Sequence, residues 1–582
     1  MRNEPPEHSL HLSQTARGPG GGRRRPAPAP ARRAISGAAG ALRSARLPGW
    51  PAAGLAAAGG LCLAAAFPPA GLWPLAMAGP ALLALAVRGQ GWRATCGLAM
   101  AFALAFYVPL LSWLINVAWY AWTALAVAES VIFAVIALGL RPLLRVRAWP
   151  LGLAGWWVAQ EAVRDRWPYG GVPWGRVAMS QAGAPTAGWA AIGGPPFVTF
   201  AVVLAGGCLA YLVVAVAGWR RGQRGAGPGQ PPAASRRGAV RRALSPALAV
   251  AAIGACLAGN LAWRWAPGPG PTAVVAAVQG DVPHARNLPD QLRATTVTDN
   301  HAAATIAFAR QVRAGRRPAP GLVIWPENST DIDPSLSPPT YRTIAAAVAA
   351  IDRPVLVGAV LQDPVRNAGQ LWLPGRGPVQ VYVKRKLVPF GEVIPMRGLL
   401  ETFTSLPSLQ PVNFTPGHRA VVFRIGRIRL GDVICWEVGF DSLVRSEVLA
   451  GANLLAEQTN DADFELDGQL GETLQQLAMA RIDAITTGRA VVVASTTGVS
   501  AVIAPDGVVL ARTGTWRRAV LDMRVPLASG LTPADRAGSW PELVIAFAAA
   551  LAALWSAVAP RARRRRRAAV AGRAVRVPGW HM

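Results

Sequence analysis

The chain has 582 residues, a formal net charge of +29, 52% hydrophobic residues and only 15% charged ones. That apolar content and a mean hydropathy of +0.30 exclude an ordinary soluble protein. Five scattered cysteines, four of them inside apolar stretches, exclude a disulfide-stapled secreted domain.

The first 48 residues, rich in Pro, Gly and Arg, read as a disordered basic cytoplasmic tail, too long and too basic for a cleaved signal peptide. Apolar runs near the length of a membrane-spanning helix follow at 51–67, 71–88, 94–115, 119–140, 148–163, 192–218, 244–263 and 541–559. The first two are separated only by a short Pro-rich turn and read as a tight hairpin.

Basic residues collect on the cytoplasmic side of short loops. Here they fall in alternate loops: the N-terminal tail, Arg88 and Arg93, Arg141 with Arg145 and Arg147, the Arg cluster after the sixth run, and the final tail. Both termini are therefore expected in the cytoplasm. The positive charge is read as holding anionic lipid rather than nucleic acid, for which no folded motif appears. The loop between the fifth and sixth runs breaks the charge bias with Arg164, Arg166 and Arg176. These are candidate lipid headgroup contacts through bidentate bonds, or ordinary flanking charge. Glu129 and Glu161, within or beside apolar runs, are expected to face the bundle interior or a cavity.

The expected domains are a basic tail at 1–48, a seven-helix membrane domain at 49–265, one extracytoplasmic domain at 266–539, an eighth helix at 540–560 and a basic tail at 561–582. Within the extracytoplasmic segment, β-branched runs ending in polar residues predict strands at 272–279, 321–327, 353–361, 379–388, 420–437, 452–459 and 490–497. Amphipathic stretches at 288–314 and 470–485 predict helices, so strands and helices alternate as in an α/β sandwich.

Three strand ends carry the chemistry. One run ends in Trp325-Pro326-Glu327, another carries Lys384 and Lys386, and a third ends in Ile434-Cys435-Trp436-Glu437. Nearly every positive charge in the chain is Arg, so the two lysines stand out; unlike Arg, Lys can take part in proton chemistry. A lone thiol such as Cys435 is either a buried filler or a nucleophile, and as a nucleophile it needs a cation and a base nearby. Glu327 and Lys384 form an economical set with it. A Cys–His pair assembled in space, from His284, His301 or His418, remains the alternative. No His/Cys/carboxylate cluster has metal-ligand spacing.

Trp325-Pro326-Glu327, Tyr382-Val383-Lys384 with Leu387-Val388-Pro389-Phe390-Gly391-Glu392, and Ile434-Cys435-Trp436-Glu437 resemble the Glu-Lys-Cys blocks of the nitrilase superfamily. Further similarities are Gln279 to Pro283, Asn460-Asp461-Ala462, Met479-Ala480-Arg481, Pro505-Asp506-Gly507 and, in the membrane half, Gly171-Val172-Pro173-Trp174. Seven helices, such a domain and a final helix resemble the apolipoprotein N-acyltransferase family. The resemblance implies a membrane domain of about eight helices with a nitrilase-like αββα sandwich inserted between helices seven and eight. It implies acyl transfer from a phospholipid through a thioester on Cys435 to the free α-amino group of a diacylglyceryl-modified N-terminal Cys of an apolipoprotein.

In that scheme Lys384 keeps Cys435 as a thiolate and helps hold the oxyanion with Trp436 N–H. Glu327 is the general acid and base, and Glu392 and Glu437 are supporting groups. Lys386 is a solvated or positioning residue, and no cofactor is implied. Two positions depart from the family pattern: Asp463 stands where an aromatic is usual and Leu288 where a Trp is usual. Both bear on acceptor recognition. A membrane-tethered amidase and a non-catalytic lipoprotein-binding relative stand as alternatives.

Overall fold

The structure is a computed structural model. It describes residues 47, 49–224, 236–265, 267–268, 270–283, 289–402, 411–465 and 468–574. The expected N-terminal tail (apart from residue 47), Leu288, His284, the middle of the Arg-rich loop after the sixth run and the last eight residues lie outside them.

Among the described residues, seven helices of 13 or more residues precede the sandwich, besides the single turn Leu140–Leu143: α1 (Gly49–Ala66), α2 (Leu75–Val87), α3 (Trp92–Leu110), α4 (Trp119–Ile136), α5 (Trp149–Arg164), α6 (Ala190–Arg224) and α7 (Arg236–Leu257). An eighth, α8 (Trp540–Ala574), follows it. Among the described residues, five spans are long and apolar enough to cross a membrane: Gly49–Ala66, Trp92–Leu110, Trp119–Leu143, Ala187–Arg220 and Trp540–Val558. The 13 residues of α2 reach only about 20 Å, short of a full crossing. Helix α5 ends in the polar set Gln160, Glu161 and Arg164.

Small residues bring these helices close. A Cβ on Gly60 would lie 2.1 Å from Phe102 O, and one on Gly206 would lie 2.2 Å from Met77 O, so the backbones touch where a side chain would hold them apart. Helix α6 is broken near its start, where Gly194 adopts φ +71° ahead of Pro195-Pro196. Helix α8 packs Ala549 on Gly155 and leaves Trp540, Phe547 and Trp555 exposed, an apolar face suited to lipid. Its backbone stays helical past residue 560 because the Arg/Ala sequence there favours helix.

The segment between α7 and α8 is two stacked six-stranded sheets. The first, in spatial order β12-β1-β2-β3-β4-β5, comprises β1 (Thr272–Gln279), β2 (Leu322–Ile324), β3 (Val355–Leu361), β4 (Arg366–Leu373), β5 (Gly377–Val383) and β12 (Ala519–Pro526). The second, in order β11-β10-β9-β8-β7-β6, comprises β6 (Val422–Ile425), β7 (Ile428–Ile434), β8 (Leu454–Thr459), β9 (Val491–Ser495), β10 (Ala501–Ile503) and β11 (Val509–Arg512). The centre of each sheet is parallel, β1-β2-β3 and β7-β8-β9, while hairpins extend the edges.

Parallel central strands are buried on both faces and therefore read as continuous apolar runs. Val275, Ile324, Leu356, Leu430, Ile434, Ala456 and Val492 fill the space between the sheets. Helices Asp290–Arg313 and Pro338–Ile351 cover the first sheet with Phe308, Ile344 and Val348. The outer face of the second sheet carries helices Asp441–Leu449 and Gly471–Thr487. The sandwich thus has an αββα layering. Its last layer is continuous with the membrane helices: one apolar cluster runs from Phe102, Phe133 and Trp157 through Trp174 to Trp436, Met479 and Leu455.

Candidate active site

The parallel strands β2 and β7 end at the same edge of the sandwich, and the chain leaving β5 passes over it. Glu327 lies three residues past β2 and is buried. Its Oε1 accepts from Lys384 Nζ at 3.0 Å and from Asn367 Nδ2 at 2.7 Å. Its Oε2 accepts from Asn460 N at 3.0 Å. Lys384, only 1% exposed, directly follows β5, and its N–H extends the ladder to Asn367 O at 2.9 Å. The same ammonium donates to Glu392 Oε1 at 3.0 Å, and Glu392 also accepts from Asn367 Nδ2 and Val388 N. One lysine thus sits between two carboxylates, with Asn367 bridging the same pair.

Cys435 ends β7 in a left-handed conformation, φ +51°, which a non-glycine residue rarely adopts. The chain turns there into a 3₁₀ helix, Cys435–Gly439, with Cys435 at its first position. Glu437 holds that turn. Its Oε2 accepts from Ile434 N at 2.9 Å and Tyr382 Oη at 2.8 Å, and its Oε1 accepts from Arg385 N at 2.7 Å and Lys386 N at 3.1 Å. One buried carboxylate therefore ties the Cys435 turn to the backbone just past Lys384.

The charges follow from these contacts. Burial works against the Lys384 ammonium, but Glu327 and Glu392, with Cys435, outweigh it and hold its pKa well above the usual value. Burial also raises the Glu327 pKa, against the pull of Lys384. For Cys435, burial and then the Glu327 charge push the thiol well up, and Lys384 opposes them without winning. Burial and the Glu327 charge thus favour the Cys435 thiol, and Lys384 favours the thiolate.

Of the remaining expected residues, Trp436 stacks on Trp174 with ring centroids 4.8 Å apart and planes at 9°. Lys386 donates to Gly170 O at 3.0 Å and lies 4.6 Å from the Phe440 ring, which makes it a positioning residue between the sandwich and the loop after α5.

The headgroup role is corrected for two of the three arginines, because their guanidinium groups are buried against carboxylates. Arg164 pairs with Glu129 at 2.5 Å and donates to Trp174 O at 2.9 Å. Arg176 pairs with Asp165 at 3.1 Å and Asp441 at 2.8 Å. Arg166 is half-exposed and pairs with Glu542. Glu161 faces the interior, accepting from Val177 N and Thr199 Oγ1.

Asp463 is exposed and pairs with Arg293 at 3.3 Å. The next residue, Phe464, lies edge-on to Trp113 with ring centroids 5.2 Å apart. Sequence reasoning missed Asn367, because β4 was not among the expected strands. It also missed Gln476, whose Nε2 lies 3.6 Å from Cys435 Sγ. His301 is buried and bonded to Val297 O, within its own helix, and does not join the Cys435 cluster.

Residues 59–208 match the apolipoprotein N-acyltransferase N-terminal domain family, and residues 275–530 match the carbon-nitrogen hydrolase family. An apolipoprotein N-acyltransferase from Mycolicibacterium smegmatis is 37% identical over 539 residues, covering 88% of this chain and 86% of the relative. One from Azotobacter vinelandii is 30% identical over 546 residues, covering 89% of this chain and 97% of the relative. A solved amidase from Nesterenkonia is 17% identical with a TM-score of 0.32, covering 45% of this chain and 94% of its own.

Proposed function

The chain belongs to the apolipoprotein N-acyltransferase family, and from that premise we propose that Cys435, Lys384 and Glu327 carry its acyl transfer in two half-reactions. The enzyme moves an acyl chain from a membrane phospholipid to the free α-amino group of the diacylglyceryl-bearing N-terminal Cys of an apolipoprotein. In the first half-reaction Glu327 takes the thiol proton as Sγ attacks the ester carbonyl. The Lys384 ammonium, with the N–H of Trp436, faces the developing oxyanion. When the tetrahedral intermediate collapses, Glu327 returns the proton to the departing alkoxide. A lysophospholipid leaves and a thioester remains on Cys435.

In the second half-reaction the amine attacks the thioester and Glu327 accepts its proton. The amide forms, and the thiol is regenerated with that proton. The observation that carries this reading is the shared ammonium: Lys384 Nζ sits 3.0 Å from both Glu327 and Glu392 and is the cation that opposes the upward shift of the Cys435 thiol. The membrane helices and both lipid-anchored substrates fit a catalytic domain on the extracytoplasmic side, with both termini cytoplasmic. We read the domains as a membrane domain at 49–265, the catalytic domain at 266–539 and a last helix at 540–560.

Intact-protein mass spectrometry tests the reading. Incubated with phospholipid alone, the wild type is expected to gain one acyl chain and Cys435→Ala none. A diacylated lipopeptide with a free N-terminus is expected to discharge the adduct and become triacylated. An adduct on Cys435→Ala, or discharge by water with the lipopeptide unmodified, refutes it.

A further inference from the structure

We propose that Gln476 is a hydrogen-bond donor to the nucleophilic sulfur, held in place by Glu472, and that it stabilises the thiolate when it forms and when it leaves. The inference rests on the transferase reading and adds a residue to it. Helix Gly471–Thr487 starts beside the site, and its first two turns carry Glu472 and Gln476 four residues apart, on one face. Both side chains are buried, at 2% and 1% exposure.

An amide nitrogen has two hydrogens, and Gln476 uses them in different directions. One goes to Glu472 Oε1, the other to Cys435 Sγ at 3.6 Å. Gln476 Oε1 has no hydrogen-bond partner among the described residues, so the two N–H bonds fix the orientation of the group. The observed rotamer aims its donors at both Glu472 Oε1 and the sulfur.

The other charged groups facing Sγ are Glu327, Lys384, Glu472 itself and Asp461. Three of the four are acidic, so negative charge building on sulfur meets mostly opposition. Lys384 answers it but is shared between Glu327 and Glu392. Gln476 supplies a neutral donor from the opposite wall, which adds no charge to an already crowded site. It acts twice in the cycle. In the first half-reaction it stabilises the thiolate created as Glu327 removes the proton. In the second it receives the sulfur as the C–S bond breaks and its electron pair returns to Sγ. A hydrogen bond to a charged group corresponds to about one pH unit in the thiol titration.

Alkylation of the full-length enzyme in detergent by iodoacetamide, followed from pH 6 to 10, reads the sulfur directly. Gln476→Met keeps the length and removes the donor. Its thiolate population falls about tenfold at a given pH, and the greater nucleophilicity of a more basic thiolate offsets part of this, leaving alkylation about threefold slower. Discharge of the acyl-enzyme by lipopeptide is expected to slow about tenfold, because there the sulfur is a leaving group, with the KM for lipopeptide unchanged.

Gln476→His restores a ring N–H at similar reach and is expected to return alkylation to near the wild-type rate. Should Gln476→Met fail to accumulate, Gln476→Glu keeps size and polarity without an N–H and is expected to be at least as slow. Wild-type alkylation profiles for Gln476→Met or Gln476→Glu, or a Gln476→His as slow as Gln476→Met, would overturn the proposal. Alkylation does not require acyl transfer. A wild type that never forms an acyl-enzyme would refute the transferase reading while leaving the hydrogen bond testable.

Discussion

Glu437→Gln is the most discriminating change in the site, because it preserves shape and removes only acceptor capacity. The carboxylate is fully buried and accepts four bonds, three of them from backbone N–H groups. An amide has one acceptor oxygen. If its NH2 replaces Oε1, it faces the N–H groups of both Arg385 and Lys386, neither of which can turn away. If it replaces Oε2, it faces Ile434 N–H and the Tyr382 hydroxyl, and only the hydroxyl can rotate to accept. The second arrangement costs less and still orphans Ile434 N–H, at about 1–3 kcal/mol, while the surviving bonds lose their charge assistance.

The total is about 3 kcal/mol. It falls on the turn that presents Cys435 and on the chain just past Lys384, so most of it is expected in the reaction. Spent at the transition state, about 3 kcal/mol is a hundredfold in rate. Single-turnover acyl-enzyme formation from phospholipid, timed by intact mass, is the assay; thermal unfolding in detergent checks that the protein remains folded. A rate within threefold of wild type would show that the four bonds do not set the geometry of the thiol.

Three further outcomes follow from the charges. Acyl-enzyme formation needs ionised Glu327, whose pKa is raised by burial and further by the Glu392 charge. Its acid limb is expected above the ordinary carboxylate range, and Glu392→Gln, which removes that charge, is expected to move the limb to lower pH while lowering the plateau; a limb that stays put or rises in a pH–rate profile contradicts this. Glu465 is pushed up to about 9 by burial and then by Asp461. The stability it contributes is fully present below its unfolded value near 4.5 and is lost as pH rises through 9, so the melting temperature of Glu465→Gln relative to wild type is expected to increase from pH 5 to 9, and a flat difference would refute it. Arg164→Met leaves Glu129 buried without its cation, a loss of about 3–5 kcal/mol. It is expected to cut the amount of folded protein in membranes, with Glu129→Leu added in the same chain recovering part of it; no effect of the single change would show that the pair is dispensable.

Much of this was legible in the sequence for physical reasons. Parallel strands buried on both faces must be apolar throughout and must end where polarity returns, which is why the strands ending near Glu327, Cys435 and Thr459 were visible as runs. The Arg/Lys contrast marked Lys384 because it and Lys386 are the chain's two lysines. Strand β4, Arg-Asn-Ala-Gly-Gln-Leu-Trp-Leu, was not visible, since Asn367 and Gln370 interrupt its apolar run and the partner of Asn367, Glu327, is reached only in the fold. Asn367 was therefore missed with it. Gln476 looked like any helix residue until the helix was docked on β7. The arginines near the end of α5 misled for the same reason. Arg166 and Arg176 find Glu542 and Asp441 across 376 and 265 residues of sequence, so in one dimension they looked like unpaired charge beside a bilayer.

The stacking of Trp174 on Trp436 has a mechanical consequence. Trp436 is bonded to the nucleophile's own residue, and Trp174 belongs to the loop that emerges from helix α5, with its carbonyl held by the buried Arg164. No compliant tether therefore lies between the helices and the sulfur. The depth at which the thiol works is dictated by the bundle, like the height of a tool clamped to a bench rather than held in a hand. On the proposed mechanism, a bilayer that tilted or compressed the bundle would shift the thiol with it, and membrane thickness would become a variable of the chemistry.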